Sequence, residues 1–337
     1  MTVSNDIGAA DQQVAAEKPR TARGLPGGTM LWVLLVLVVL SALLTQGVFI
    51  RPSNLTTVLF QSSVIGVLAI AQAFAVIGRG LDLSVGATAI FAAMVVGGAS
   101  STADSFLPHL PLPVAVLAGL LLGLVIGLVN GTVAGRTRVP PFIITLSTYL
   151  MIVGVTFLAT GASPVNSPHP VIREFGEARI WLVPAPVLLW LACIAAGYLL
   201  LRKTKYGAML YAVGGNETTA RLSGIRVSRV KLLSYVAAGV FAAVAGMLFL
   251  VRTGTVLPSD GSSFMLDSIA AVAVGGVSLA GGHGRIRDVV LGVLILAVVD
   301  NLMNLTGVSQ YLQTAVQGAV VLIAVGVNLR LSHNGNE

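Results

Sequence analysis

Long apolar runs separated by short polar segments fill most of the chain. Ten such runs stand out, at about 30–46, 57–78, 84–103, 112–134, 142–160, 181–201, 232–251, 265–281, 289–305 and 311–329. Each comes near the roughly 20 apolar residues a helix needs to cross a bilayer. Hydrocarbon offers the backbone no hydrogen-bond partners, so such runs are expected to be helical. The pattern predicts an all-α polytopic membrane protein with about ten transmembrane helices. Residues 1–29 read as a flexible cytoplasmic tail, 30–329 as the transmembrane domain and 330–337 as a second short tail. The first run follows a basic segment, as the apolar core of a signal peptide does. It is long for that role and lacks a convincing small-residue cleavage pattern, so it reads as a retained first span.

The basic residues orient this arrangement. With the N-terminus inside, sixteen of the twenty Lys and Arg residues fall in inner segments, and only Arg51, Arg173, Arg179 and Arg252 fall outside. That asymmetry is the one inner loops carry, and an even number of spans then places both termini in the cytoplasm. The longest polar break, 202–231, holds seven of the twenty. Within it Asn216 is placed to cap a short helix, with Glu217 in its first turn. Gly224 is placed to close that helix in the left-handed conformation, ahead of apolar Ile225. A capped two-turn helix on the inner face reads as a handle for another protein.

Two halves show a faint kinship. Leu81-Asp82 precedes a run of small residues, and Leu266-Asp267 precedes another. Five spans separate them, so spans 2–5 and 7–10 would form an inverted repeat, an arrangement common in transporters.

Composition removes most other classes. Hydrophobic residues make up 55% of the 337 and charged residues 10%, against about 25% charged in soluble domains. The net charge of +7 lies between spans, not on one face, so nucleic acid is not a partner. The one cysteine, Cys193, sits in an apolar run and reads as span packing. His109, His169, His283 and His333 are scattered without metal-ligand spacing. No lysine follows a glycine as a phosphate-binding loop requires, so this chain has no recognisable ATP site. Nor is there a nucleophile elbow. Nothing supports an enzyme, and no cofactor is expected on this chain.

Polar groups at membrane depth are the remaining candidates, because they are costly in hydrocarbon unless covered by protein or water. Asp82 and Ser84 stand in GRGLDLSVG (78–86). That stretch is either a broken element beside a path or a tight inner turn in which Asp82 caps the next helix and pairs with Arg79. Asp267 opens the eighth run and reads as an acid in a first helical turn. Asp300, with Asn301 and Asn304 beside it, either lines an outer mouth or satisfies a neighbouring helix. Asn130 precedes the inner basic turn that leads to Pro140-Pro141 at a helix start. The candidate path residues are Asp82, Ser84, Asn130, Asp267, Asn301 and Asn304.

Taken together, several stretches resemble the membrane permease subunits of ribose-type ABC sugar importers. They are GLDLSVG (80–86), PPFIITL (140–146), GASPVN (161–166), YAVGGNETTARLSGI (211–225), LDSIAAVAVGGVSLAGGHG (266–284) and LTGVSQYLQ (305–313). The correspondence runs in order from about 30 to 329. It implies a multi-pass permease of the prokaryotic inner membrane that forms the translocation path for a monosaccharide. It further implies a second copy of the chain, a cytoplasmic ABC ATPase using ATP and Mg, and an extracytoplasmic sugar-binding protein, with membrane lipid around them. Gly214, Gly215, Asn216, Glu217, Ala220, Arg221 and Gly224 would belong to the coupling helix that docks on the ATPase. Gly215, Ala220 and Gly224 would press on the partner, with Glu217 and Arg221 as polar rim contacts. The chain departs from the family at RIRDVVLGV (285–293), where small residues and a further glycine are usual, and at Val327-Asn328, where an acid is common. Its Ala/Gly-rich N-terminal tail is also unmatched. Nucleosides and other small polar solutes are alternative cargos, and an ion-gradient carrier using Asp82 or Asp300 is the alternative mechanism.

Overall fold

A computed structural model describes residues 27–101, 106–167, 169–181 and 183–334. The expected tail thus lies almost wholly outside the described residues, as do 102–103 of the third run. In chain order the helices are α1 (Gly27–Leu44), α2 (Pro52–Ile77), α3 (Val85–Ser100), α4 (Leu112–Arg136), α5 (Pro141–Thr160), α6 (Pro170–Glu177) and α7 (Ala185–Lys203). Then follow α8 (Lys205–Gly215), α9 (Glu217–Leu222), α10 (Val227–Thr253), α11 (Gly261–Val274), α12 (Ile286–Leu305) and α13 (Gln310–Asn334). Each of the ten apolar runs overlaps a helix. Among the described residues six are long and apolar enough to cross a membrane: α2, α4, α5, α7, α10 and α12. α1, α3 and α11 are apolar but shorter.

Helix ends follow from local chemistry. Proline occupies the first turns of α2, α4, α5, α6 and α7, where its missing N–H would have no helical partner anyway. α5 and α10 end on Gly161 and Gly254 in the left-handed conformation. Two short ladders tie the opposite end of the bundle from α9. β1 (Val165–Asn166) pairs antiparallel with β4 (Thr255–Val256), and β2 (Arg179–Ile180) with β3 (Val183–Pro184).

α2 is the buried axis of the bundle, with every residue from Val64 to Ile77 buried except Ile65. α10 packs against it and against α3 and α4. The α4–α10 contact uses Gly119, Gly123, Gly127, Gly131 and Gly135, one per turn on one face of α4. A Cβ at the last four would run into the α10 backbone near Gly239, Tyr235, Leu232 and Ser228. The stripe lets the two helices approach closely where lipid supplies no hydrophobic drive for association. Elsewhere α1, α4, α5 and α7 expose Leu, Val, Ile and Phe outward, including Leu43, Leu121, Leu158 and Leu199. A bundle apolar on its outer surface suits a bilayer and not water.

The eighth run is displaced. α11 begins at Gly261 and ends at Val274, so Asp267 lies inside the helix and does not precede it. Residues 275–285 are non-helical because Gly276, Gly281, Gly282 and Gly284 take positive φ. α13 continues as helix to Asn334, beyond the boundary at 330 read from hydrophobicity alone.

Candidate functional site

Between α7 and α10 the chain leaves the bundle as α8 and α9. The Thr204 hydroxyl caps α8 by accepting from the Gly207 N–H at 3.1 Å. Asn216 then ends α8 and starts α9, its side-chain oxygen accepting from the Thr219 N–H at 2.9 Å. At the other end Gly224 sits at φ +81°. Its N–H donates to the Arg221 carbonyl, and the Ile225 N–H reaches back to the Ala220 carbonyl, each at 3.0 Å. That pair of bonds satisfies carbonyls a short helix would otherwise leave open.

The α9 side chains divide between bundle and solvent. Ala220 is buried against the core. Glu217 turns inward, holding the Lys231 ammonium at 2.8 Å with a looser contact of 3.6 Å to Arg221. Thr218, Arg221 and Leu222 face outward, and Leu222 is 84% exposed. Gly224 and Asn216 are exposed at the two ends. The surface offered to a partner is therefore an apolar knob beside an arginine. Reading caps alone misses Leu222, although an apolar residue between Arg221 and Ser223 was the available signal.

The junction of α8 and α9 with the bundle is made of backbone. The Gly282 N–H donates to the Ile77 carbonyl at 3.0 Å, joining the 275–285 loop to the end of α2. Gly214 wedges into that contact, where a Cβ would collide with the Ile77 carbonyl and the Gly282 amide. Gly282 lies at φ +73° with Gly215 directly beside it. The Tyr211 hydroxyl donates to the Gly284 carbonyl at 2.7 Å. Movement of α8 would therefore be felt at once by α2 and by the segment joining α11 to α12.

Next to this junction, residues 78–84 return from α2 to α3. Arg79 takes φ +63° and is exposed, whereas Asp82 is buried. Among the described residues Asp82 has no ion pair with Arg79. Its Oδ1 accepts from both the N–H (2.9 Å) and the hydroxyl (2.6 Å) of Ser84. Asn130 donates to the Ser84 hydroxyl at 2.9 Å, and the Thr148 hydroxyl donates to the Asn130 oxygen at 2.6 Å. Thr145 closes the frame, accepting from the Leu83 N–H and donating to the Leu81 carbonyl. Asp82, Ser84 and Asn130 are thus brought together in one buried chain across the α3 start, α4 and α5.

The other candidates lie apart from it. Asn301 exchanges two amide hydrogen bonds with Asn54, at 2.9 and 3.0 Å, locking α12 to the start of α2. Asn304 accepts from Gln313 across the α12–α13 turn. Asp300 accepts from Gln317 at 2.9 Å, and α11, which carries Asp267, packs against α12. Gln72 on α2 was not singled out by sequence. It is fully buried, and neither polar atom of its amide has a partner among the described residues. In the opposite loops the Asp260 carboxyl accepts from the Leu257 N–H at 2.9 Å, and burial lifts it above the usual carboxylate range.

The comparisons with known proteins agree with this architecture. A family profile described as branched-chain amino acid transport system, permease component, matches residues 54–325. The chain is 38% identical over 295 residues to the ribose import permease protein of Bacillus subtilis, covering 87% of this chain and 89% of that one. It is 37% identical over 325 residues to the ribose import permease protein of Escherichia coli, covering 94% and 98%. With the xylose transport system permease protein of Haemophilus influenzae the identity is 32%, over 89% and 95% of the two chains. No solved structure matches the chain. An apolar helical bundle with a capped helix outside it, matched along nearly its whole length by import permeases, belongs to this family of membrane transport permease components.

Proposed function

We propose that this chain forms the translocation path for a monosaccharide in an ATP-driven importer of the prokaryotic inner membrane. The named substrates of its relatives, ribose and xylose, point to a pentose-sized sugar. In this reading ten helices cross the membrane with both termini in the cytoplasm, and α2–α5 and α10–α13 are inverted counterparts. Two copies pair, a cytoplasmic ATPase docks on α9, and an external binding protein delivers the sugar. ATP and Mg belong to the ATPase.

The observation that carries the proposal is the form of α8–α9. One end presents exposed Leu222, and the other is wedged by Gly214 between α2 and the 275–285 loop. Closing of the ATPase pair would push on α9, and the glycine junction would pass that push to α2 and to the segment leading into α12. This is rigid-body alternating access. The Asp82–Ser84–Asn130–Thr148 chain would hold the α3 start to α4 and α5 as they move. Gln72 would offer its unpaired amide to sugar hydroxyls in another state, since an unpaired buried polar group costs roughly 1–3 kcal/mol.

A second reading rests on Asp267 and Asp300, acids on the packed helices α11 and α12, which an ion-coupled carrier would need. Uptake into ATP-loaded proteoliposomes separates the two. A labelled pentose taken up only when permease, ATPase and binding protein are all present supports the importer. Uptake by this chain alone, abolished by collapsing the proton or sodium gradient, replaces it with the carrier.

A further inference from the structure

A cavity of about 370 Å³ lies where α7 ends and α12 begins, beside α8. Its walls carry four cations, Arg202, Lys203, Arg285 and Arg287, together with the Tyr198 and Tyr211 rings. The acid at its edge, Asp288, is held by Arg287 at 3.2 Å, which leaves three cations to one side of the balance. The groups converge: the Tyr211 hydroxyl, bonded to the Gly284 carbonyl at 2.7 Å, brings α8 against the segment that carries Arg285 and Arg287. No side chain caps the N-terminus of α12 at Arg285, so its free N–H groups add to the positive field.

What lies next to the cavity identifies its ligand. One turn and less before Arg202, α7 exposes Tyr198 (47%) and Leu199 (53%), and Leu191 (50%) extends that apolar face into the bundle's outer surface. A cationic hollow at the head of an exposed apolar stripe, with a tyrosine at the boundary, matches an anionic headgroup above its acyl chains. A soluble anion would need the hollow but not the stripe. The cavity lining includes no residue of α9.

We propose that this cavity binds the phosphate group of an anionic membrane phospholipid whose acyl chains lie along α7. The proposal requires only that the chain is an integral membrane protein, so it stands whether the cargo is a pentose or another solute. It is tested by native mass spectrometry of the full chain released from phosphatidylcholine nanodiscs containing phosphatidylglycerol. The wild type should retain phosphatidylglycerol selectively. Arg202→Gln with Arg285→Gln should lower that retention about thirtyfold, since each of the two basic groups near an anionic surface contributes on the order of 1 kcal/mol. Arg202→Lys with Arg285→Lys should keep most of it. Arg287→Glu, a charge reversal at an exposed position that also frees the Asp288 carboxylate beside the cavity, should lower retention at least as far, and it decides the matter if the double variant does not purify. Unchanged retention in Arg287→Glu overturns the proposal. So does displacement of the lipid by inorganic phosphate at comparable concentration, which would make this a soluble-anion site. Loss of ATPase association with retention intact would make it a protein contact instead.

Discussion

The two ends of the α8–α9 element are built on opposite principles. At Gly214 the contact is backbone against backbone, with no room for a single carbon beside Ile77 and Gly282. At Leu222 a large apolar side chain stands 84% exposed with nothing of its own chain upon it. A lever needs this difference, because the end that transmits must not yield and the end that receives must stay open to a partner. Side-chain chemistry therefore matters at one end and its absence matters at the other.

The largest effect is expected at the closed end. Gly214→Val places two methyl groups in the Ile77 carbonyl and Gly282 amide, and overpacking of this kind costs roughly 3 kcal/mol or more. Uptake should vanish, and the purified protein should unfold at clearly lower temperature. A variant with wild-type melting and wild-type uptake would show that the junction is loose and transmits nothing. Gly215→Ala, whose Cβ meets open space within the chain, should leave the melting temperature unchanged and so localises the packing effect.

At the open end the opposite signature is expected. Leu222→Asp should leave the melting temperature of the permease unchanged, because the side chain packs on nothing within the chain. ATPase co-purification and ATP-driven uptake should both be lost. Retained ATPase binding would move the docking surface away from α9.

That contrast also marks how much could be read before the structure. The caps of α9 were legible because Asn216 and Gly224 act on backbone groups a few residues away. The ten apolar runs were legible for the same reason, since each helix satisfies its own backbone. Contacts between segments far apart in sequence were not. Nothing near Gly214 announces Gly282, and nothing near Asn301 announces Asn54. The likeness of Leu81-Asp82 to Leu266-Asp267 concealed a difference, because Asp82 lies in a turn and Asp267 inside a helix. Position relative to a helix start depends on what precedes it, and Gly261 begins α11 two turns earlier than the small-residue pattern implies. Ala220 and Glu217 looked available to a partner because a short helix seen alone has no inside; packing on the bundle gives it one.

Glu217 joins the two ends, so its effect should be intermediate. Its carboxylate holds Lys231, whose side chain is only 15% exposed. Glu217→Gln leaves that ammonium short of its counter-charge. A cost of about 1–2 kcal/mol is expected, between exposed and fully buried pairs. Glu217→Gln with Lys231→Met should recover much of the melting temperature if the pair is the cause. An effect of the single variant that the double variant does not relieve would assign Glu217 to the partner surface instead.

The smallest effect should come from the hinge between α8 and α9. Asn216 satisfies the Thr219 N–H while holding an extended backbone at φ −155° and ψ 108°. Asn216→Ala removes the acceptor and should cost about 1 kcal/mol, whereas Asn216→Gly should cost a few tenths. If α9 acts only as a capped helix, ATP-driven uptake should rank wild type, then glycine, then alanine, in step with helix stability. If the Asn216 amide itself reaches the ATPase, glycine and alanine should fall together, because both lack it. The ratio of the two uptake rates thus reports whether the open end of the lever stops at Leu222 or extends back to the hinge.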